Sequence, residues 1–283
     1  MKKSFLSAIL VGICCILSSC ESGNDDSEDK VTLKKITVEV VEYFPAPGQF
    51  CNVYPEINEG DTYETVLSRA TEALNNDKLV TLGSFGGFVT VKTDHPITGK
   101  FQVAGNAIVS SSEPGIVQIS QDGETWYTIC GEHYMETEEI MVEYFMPGKV
   151  FEDETYIKWE VKSTGETGYV ARIPEYHTQP YIPYFYPSDA YSMVFPGHRL
   201  PNNGKFNTEI EQYQLAAYLG YADSYPNASP KSYLDPKNIV DSNMQPASLP
   251  SFSYIKVYTG VLQSNGILGE CSTEVTGFYE VIE

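Results

Sequence analysis

Apolar and polar residues alternate along much of this chain. Ile36, Val38 and Val40 sit between polar or exposed-type neighbours, Ile157, Trp159 and Val161 alternate with Tyr156, Lys158 and Glu160, and Ile255 and Val257 alternate with Tyr254, Lys256 and Tyr258. A period of two carried by β-branched residues predicts half-buried strands. Gly, Pro and Asn punctuate the pattern, as at Pro45-Ala46-Pro47-Gly48 and Pro201-Asn202-Asn203-Gly204. A helical period is clear once: Val66, Leu67, Ala70, Ala73 and Leu74 form one stripe. Asp61 and Glu64 read as its capping box, and Asn75-Asn76 as its end. A weaker helical pattern covers positions 208–219. Positions 174–250 are rich in Pro, Tyr and Asn and poor in regular alternation, which predicts a functional excursion. Strands separated by turns and long excursions predict a mainly β antiparallel sandwich rather than a parallel α/β sheet.

The first twenty residues follow different rules. Met1-Lys2-Lys3 precedes an apolar run from Phe5 to Leu17, and Leu17-Ser18-Ser19-Cys20 closes it. A cationic head, an apolar segment too short for a membrane span and small residues before a cysteine match a bacterial lipoprotein signal. Cleavage after Ser19 would leave Cys20 as a lipidated N-terminus, tethered by acyl chains worth ~0.8 kcal/mol per buried CH₂. Residues 21–30 are small, polar and acidic and predict a disordered tether. The expected organisation is a signal peptide over 1–19, a lipidated acidic tether over 20–30, and one β-sandwich domain over 31–283 with an insertion at about 174–250.

Charge and cysteine content narrow the partners. A net charge of −20 argues against nucleic acid, which needs a cationic surface. Beyond Cys20 only Cys51, Cys130 and Cys271 remain, so at most one disulfide can form, and their spacing fits no CxxC metal motif. Three buried small apolar side chains is the simpler reading. Tyrosine is abundant, with 21 residues against 2 Trp; it suits both ligand faces and sheets.

Residues 116–127 read as a strand, an Asp122-Gly123 turn and an aromatic, Trp126, on the return. A strand followed by S-x-D-G-x-x-W resembles discoidin-like (galactose-binding-like) jelly rolls, which implies a decorated jelly roll with Trp126 and Trp159 largely buried. A wider set of runs covers almost the whole chain beyond the tether: residues 41–50, Leu82-Gly83-Ser84-Phe85-Gly86-Gly87, Asp94-His95, Gly105-Asn106-Ala107, Ser112-Glu113-Pro114-Gly115, His177-Thr178-Gln179, Gly220-Tyr221-Ala222-Asp223, residues 255–259, Leu268-Gly269-Glu270 and Ser272-Thr273-Glu274-Val275. Together they resemble a family of Bacteroidetes cell-surface lipoproteins whose relatives occur beside cobalamin-uptake genes. The resemblance implies an outer-membrane, surface-exposed location and a TonB-dependent receptor as partner. Many relatives carry a calcium-type loop before the Trp. Here it has shrunk to Gln121-Asp122-Gly123-Glu124, short of the six to eight oxygens calcium takes, although Glu113 could join from a neighbouring loop.

Catalytic signatures are missing from the sequence. His95, His133, His177 and His198 form no HExxH or close pair, and neither a G-x-S-x-G elbow nor a P-loop occurs. Residues 82–88 read as a close approach of strands rather than a phosphate cradle. The strongest ligand candidate is residues 176–186, in which Tyr176, His177, Gln179, Tyr181, Tyr184 and Tyr186 offer proline-stiffened aromatic faces and polar hooks. Such faces stack on sugar rings or cover a corrin, and His177 could ligate cobalt or donate a hydrogen bond. The equally simple alternative is a loop packing its aromatics over an open sandwich edge. The expectation is a non-catalytic binding protein with no cofactor of its own. Its ligand would be a corrinoid such as cobalamin or, alternatively, a glycan.

Overall fold

A computed structural model describes residues 31–146, 156–171, 179–187 and 190–282. Cys20 and the acidic tether lie outside the described residues, as do Tyr176 and His177. Val31–Glu283 forms one compact unit. It is mainly β, with antiparallel sheets and a single α-helix.

Two sheets make the sandwich. The larger has seven strands and is centred on Gly115–Ser120, Phe252–Thr259 and Phe88–Ile97, with Val38–Phe44 at one edge. The second has four strands, and its middle pairs Gly277–Ile282 with both Thr32–Ile36 and Phe101–Ala104. Strand periodicity explains the layering. Ile119, Val117, Ile255, Val257, Val89 and Val91 send one set of side chains inward, where they meet Ile36, Phe101, Val103 and Phe278 from the other sheet. The alternation at Ile36, Val38 and Val40 is real, but it spans two strands rather than one. The chain breaks at Thr37 and passes from one sheet to the other, so both ends of the same pattern face a single core.

The helix, Tyr63–Asn75, buries Val66, Ala70, Ala73 and Leu74 against this core. Its N-cap is Thr62, whose hydroxyl accepts from the Thr65 N–H at 3.3 Å, not Asp61. Asp61 is taken instead by Arg69 at 2.5 Å and by the Asn58 N–H at 2.6 Å.

Positions 208–219 are not helical. Residues 208–215 turn and return a hairpin of Gly204–Asn207 and Gln212–Leu215, with four turn residues ending at Glu211 with φ +51, and 216–219 run on as irregular chain. The 174–250 region supplies short strands to existing sheets: Ser192–Arg199 pairs along its full length with Glu138–Phe145, and Ile239–Val240 extends the seven-stranded sheet. Glu138–Phe145, Tyr156–Val161 and Thr167–Ala171 complete a third sheet with its own core around Tyr144, Ile157 and Phe195. The glycine run at 82–88 is a close approach, as expected: a Cβ on Gly83 would lie 1.9 Å from Ala46 O, and one on Gly87 1.9 Å from Leu82 O. Cys51, Cys130 and Cys271 are all free thiols.

Candidate functional site

The proline-rich aromatic stretch is largely spent on packing. Asn52 Nδ2 donates to Pro180 O and Ile182 O at 2.9 and 2.8 Å, and Asn52 Oδ1 accepts from the Tyr184 N–H at 3.0 Å. Gln179 Nε2 donates to Gln49 O at 2.7 Å. Tyr181 is 1% exposed and sits in the core with Phe85 and Leu262. Tyr186 donates to Pro45 O at 2.9 Å and stacks on Phe44. Of the four expected ligand residues that are described, Tyr184 alone keeps a substantially exposed ring, at 39%. Tyr181 is thereby corrected from ligand face to core, because the hydrogen bonds of Asn52 and Gln179 strap the segment down onto the 45–52 loop. The tyrosines and prolines that stiffen it also cover that loop's apolar surface.

An open cavity lies on the outward face of the seven-stranded sheet. It is a groove of about 510 Å³, within the range of small-molecule sites. Residues two apart on a strand share a face, so Gln118 from Gly115–Ser120 and Lys256 and Tyr258 from Phe252–Thr259 floor it together. Trp126 and Phe88 supply aromatic walls, and the third sheet contributes Glu139 and His198, which stand opposite one another on paired strands. Glu124 and Asp241 complete the rim. Trp126 is half-buried, not a core residue. The Asp122-Gly123 turn explains this. Asp122 Oδ1 accepts N–H groups from Glu124 and Thr125, both at 2.8 Å, and the Ser120 hydroxyl at 3.0 Å. These bonds hold its carboxyl down at about 2 and aim the following Trp at the sheet surface. With one oxygen committed to the turn, the shrunken loop gathers no calcium shell. Lys256 lies 4.5 Å from the Phe88 ring centre and 5.1 Å from that of Trp126, a cation–π arrangement that braces both rings.

The state of His198 follows from its neighbours. Thr137 Oγ1 donates to Tyr134 O at 2.7 Å, so its hydrogen is committed. Its 3.0 Å contact with His198 Nδ1 must then carry the imidazole proton, leaving Nε2 as a lone pair. Partial burial favours this neutral form, pulling the pKa below the ordinary histidine value against the opposing charge of Glu139. His198 Nε2 makes no hydrogen bond among the described residues.

A second cluster is buried on the other side of the molecule's fabric. Glu113, Asp223 and Glu274 bring carboxylate oxygens within 4.8 Å of one another, with Glu270 close by in the same cleft. Among the described residues no Lys or Arg pairs with any of the four. Asp223 Oδ1 accepts from the Asn106 and Ala107 N–H groups, both at 2.8 Å, and Oδ2 from the Glu274 N–H at 2.9 Å. Glu274 Oε1 takes the hydroxyls of Thr81 and Ser272. Burial raises all four carboxyls, Glu274 to about 8 and Asp223 to about 7, and the mutual charges push Glu113 and Glu274 further. Three amide donors lower Asp223 against its burial, whereas the charge of Asp223 raises Glu274 further, so Glu113 and Glu274 are the carboxyls pushed furthest toward the protonated form. Glu113, Asp223 and Glu274 are the residues that could hold a cation. With both Asp223 oxygens already accepting from amides, the cluster offers fewer open positions than the six to eight oxygens calcium takes.

Residue-by-residue reading missed Trp126 as a surface residue, and it named His198 and Lys256 without taking either as a site residue. The one available signal was the strand alternation, which puts Lys256 and Tyr258 on the face opposite Ile255 and Val257. No protein-family model matches the chain, and no curated protein matches it either.

Proposed function

We propose that this chain is a non-catalytic, lipid-anchored cell-surface protein that captures a small ligand for outer-membrane uptake, and that the ligand seats in the Trp126 groove. The lipoprotein signal supports the location. The observation that carries the binding role is the groove itself: a half-exposed tryptophan, braced by Lys256 and flanked by polar groups with unused hydrogen-bonding capacity. A few convergent polar groups beside aromatic walls are the usual make-up of a ligand site. The reading leaves residues 179–186 because the Tyr181 and Tyr186 rings are engaged in packing.

A corrinoid, the first ligand expected from the sequence, fits the same groove, with His198 replacing His177 in the argument. A neutral imidazole with a hydrogen-bonded Nδ1 and a free Nε2 is the form that ligates metals. The two tryptophans provide the test. Trp159→Phe leaves Trp126 as the only tryptophan, so its emission reports on the groove. Titration of this variant with cobalamin and a panel of glycans should change that emission for the true ligand. Binding that leaves Trp126 emission untouched would place the ligand elsewhere.

A further inference from the structure

We propose that Thr167–Ala171, an edge strand of the third sheet, pairs antiparallel with the same strand of a second copy of this chain. This edge is separate from the Trp126 groove, and its pairing does not depend on any ligand there.

Register fixes which backbone groups the edge presents. Thr167 stands opposite Glu160 and Ala171 opposite Tyr156. Just before this ladder the Val161 N–H donates to Glu166 O at 2.8 Å. Hydrogen-bonded pairs alternate with non-bonded ones in an antiparallel ladder. Gly168 and Val170 therefore spend their backbone groups on Tyr156–Val161. Thr167, Tyr169 and Ala171 turn theirs outward, and no described residue takes them.

The other long edges are closed. Along Val38–Phe44, helix side chains take the outer N–H groups: Asn75 Oδ1 accepts from Val38 at 3.0 Å, Thr71 Oγ1 from Val40 at 2.9 Å and the Tyr63 hydroxyl from Tyr43 at 3.1 Å. Thr32–Ile36 carries Lys34 and Lys35. On Ser192–Arg199, Pro196 has no N–H to offer, and the His198 N–H gives to the Tyr258 hydroxyl at 3.3 Å. Tyr233–Leu234 and Pro246–Ala247 are two residues long. Shortness, charge, proline and cover are the usual protections of a bare sheet edge. Thr167-Gly168-Tyr169-Val170-Ala171 has no charge and no proline, and its ladder keeps one register without a bulge.

A copy of the same strand matches this edge. A two-fold axis at Tyr169 sets Tyr169 opposite the partner's Tyr169 and Thr167 opposite the partner's Ala171. The outward-turned residues then form the hydrogen-bonded pairs, each exchanging two bonds. Tyr169 is 54% exposed and packs edge-on against Tyr156, 42% exposed, with ring centres 5.6 Å apart. Pairing brings the two Tyr169–Tyr156 couples together and covers their apolar faces. Lys158 and Glu160 lie one strand back, so neither meets its own copy, and Glu166 is held by Arg199 at 2.6 Å. The contact uses the same edge on both copies, so it closes at two.

The test is sedimentation equilibrium of the purified full chain in density-matched detergent, over a range of concentrations. Three variants accompany it. Tyr169→Lys sets like charges opposite one another on the axis. Thr167→Pro removes an outward N–H and leaves the bonds to Tyr156–Val161 in place. Met141→Lys adds the same charge to the same exposed sheet face, away from the edge. Thermal melting confirms that each variant is folded. The expected result is a mass that rises from one chain to two and no further. Association should weaken about tenfold or more in Tyr169→Lys and in Thr167→Pro, and stay unchanged in Met141→Lys. A single-chain mass at every concentration would overturn the proposal. A dimer weakened by Met141→Lys but not by Thr167→Pro would move the contact from the edge to the face of the sheet, and so overturn it too. Growth past two chains, or a dimer that none of the variants weakens, would place the contact elsewhere on the molecule.

Discussion

Glu274 and Asp223 attract at one atom pair and repel at another: the Glu274 N–H donates to Asp223 Oδ2 at 2.9 Å, while their carboxyl oxygens crowd within the 4.8 Å cluster that includes Glu113. The pair shapes how the domain responds to pH. Glu274 keeps its proton up to about 8, against an ordinary value of 4.5. Between those values the unfolded chain has lost a proton that the folded one retains, so stability falls as pH rises. Urea denaturation should therefore show greater stability near pH 5 than near pH 8, by on the order of a few kcal/mol. Glu274→Gln should flatten that slope. A stability that rises from pH 5 to pH 8 would show that burial does not hold the Glu274 carboxyl protonated.

Asp223 itself stands in the left-handed region, at φ +50, a conformation Asp and Asn tolerate better than most residues. Asp223→Ala should cost ~3–5 kcal/mol, because it leaves three buried N–H groups without an acceptor. Asp223→Asn should cost clearly less. Equal losses in the two variants would mean that the amides find other partners.

The aromatic stretch separates into core and surface. Tyr181→Ala should destabilise the domain by ~3–5 kcal/mol, as other large buried truncations do. Tyr184→Ala should stay within about 1 kcal/mol. Thermal or chemical denaturation of the two variants measures the contrast, and a Tyr184 effect as large as that of Tyr181 would contradict the packing described.

Trp126 belongs to neither extreme. Half-buried and braced by Lys256, it should cost ~1–2 kcal/mol on truncation to Ala, less than a core tryptophan. A loss of 4 kcal/mol or more, judged against ~3–5 for a buried ring, would return it to the core.

The anchor is tested separately. Cys20→Ala should move the protein from the membrane fraction to the soluble one and abolish incorporation of labelled fatty acid. A variant still held in the membrane would rule out the lipoprotein reading.

Strands long enough to show two or three alternations, such as Tyr254 to Tyr258 and Tyr156 to Val161, were legible because period two needs that much length to register. Tyr233–Leu234, Ile239–Val240 and Pro246–Ala247 are two residues each and carry no period at all, which is why the 174–250 region read as irregular. The hairpin at 204–215 misled differently: Tyr213, Ala216, Ala217 and Leu219 imitate a helical stripe, while only cross-strand pairing such as Phe206 with Tyr213 fixes the register. The acid cluster was in plain view yet unreadable as a cluster. Glu113, Asp223, Glu270 and Glu274 lie in four of the runs that carried the family resemblance, but their meeting depends on a topology that brings residues 113 and 272 together across 159 positions. The groove was hidden for the same reason, since its walls come from separate sheets.

The pairing of Thr32–Ile36 with Gly277–Ile282 also sets how the domain bears load. Thr32 stands opposite Ile282 and Ile36 opposite Phe278, so the first strand runs antiparallel to the last over its full length. A pull on residue 31 along the strand axis strains every rung of this ladder at once instead of peeling them one by one. If the proposed anchor holds the domain by its N-terminus, that is the mechanically tough direction. Deleting the last six residues would remove the strand that shares the load.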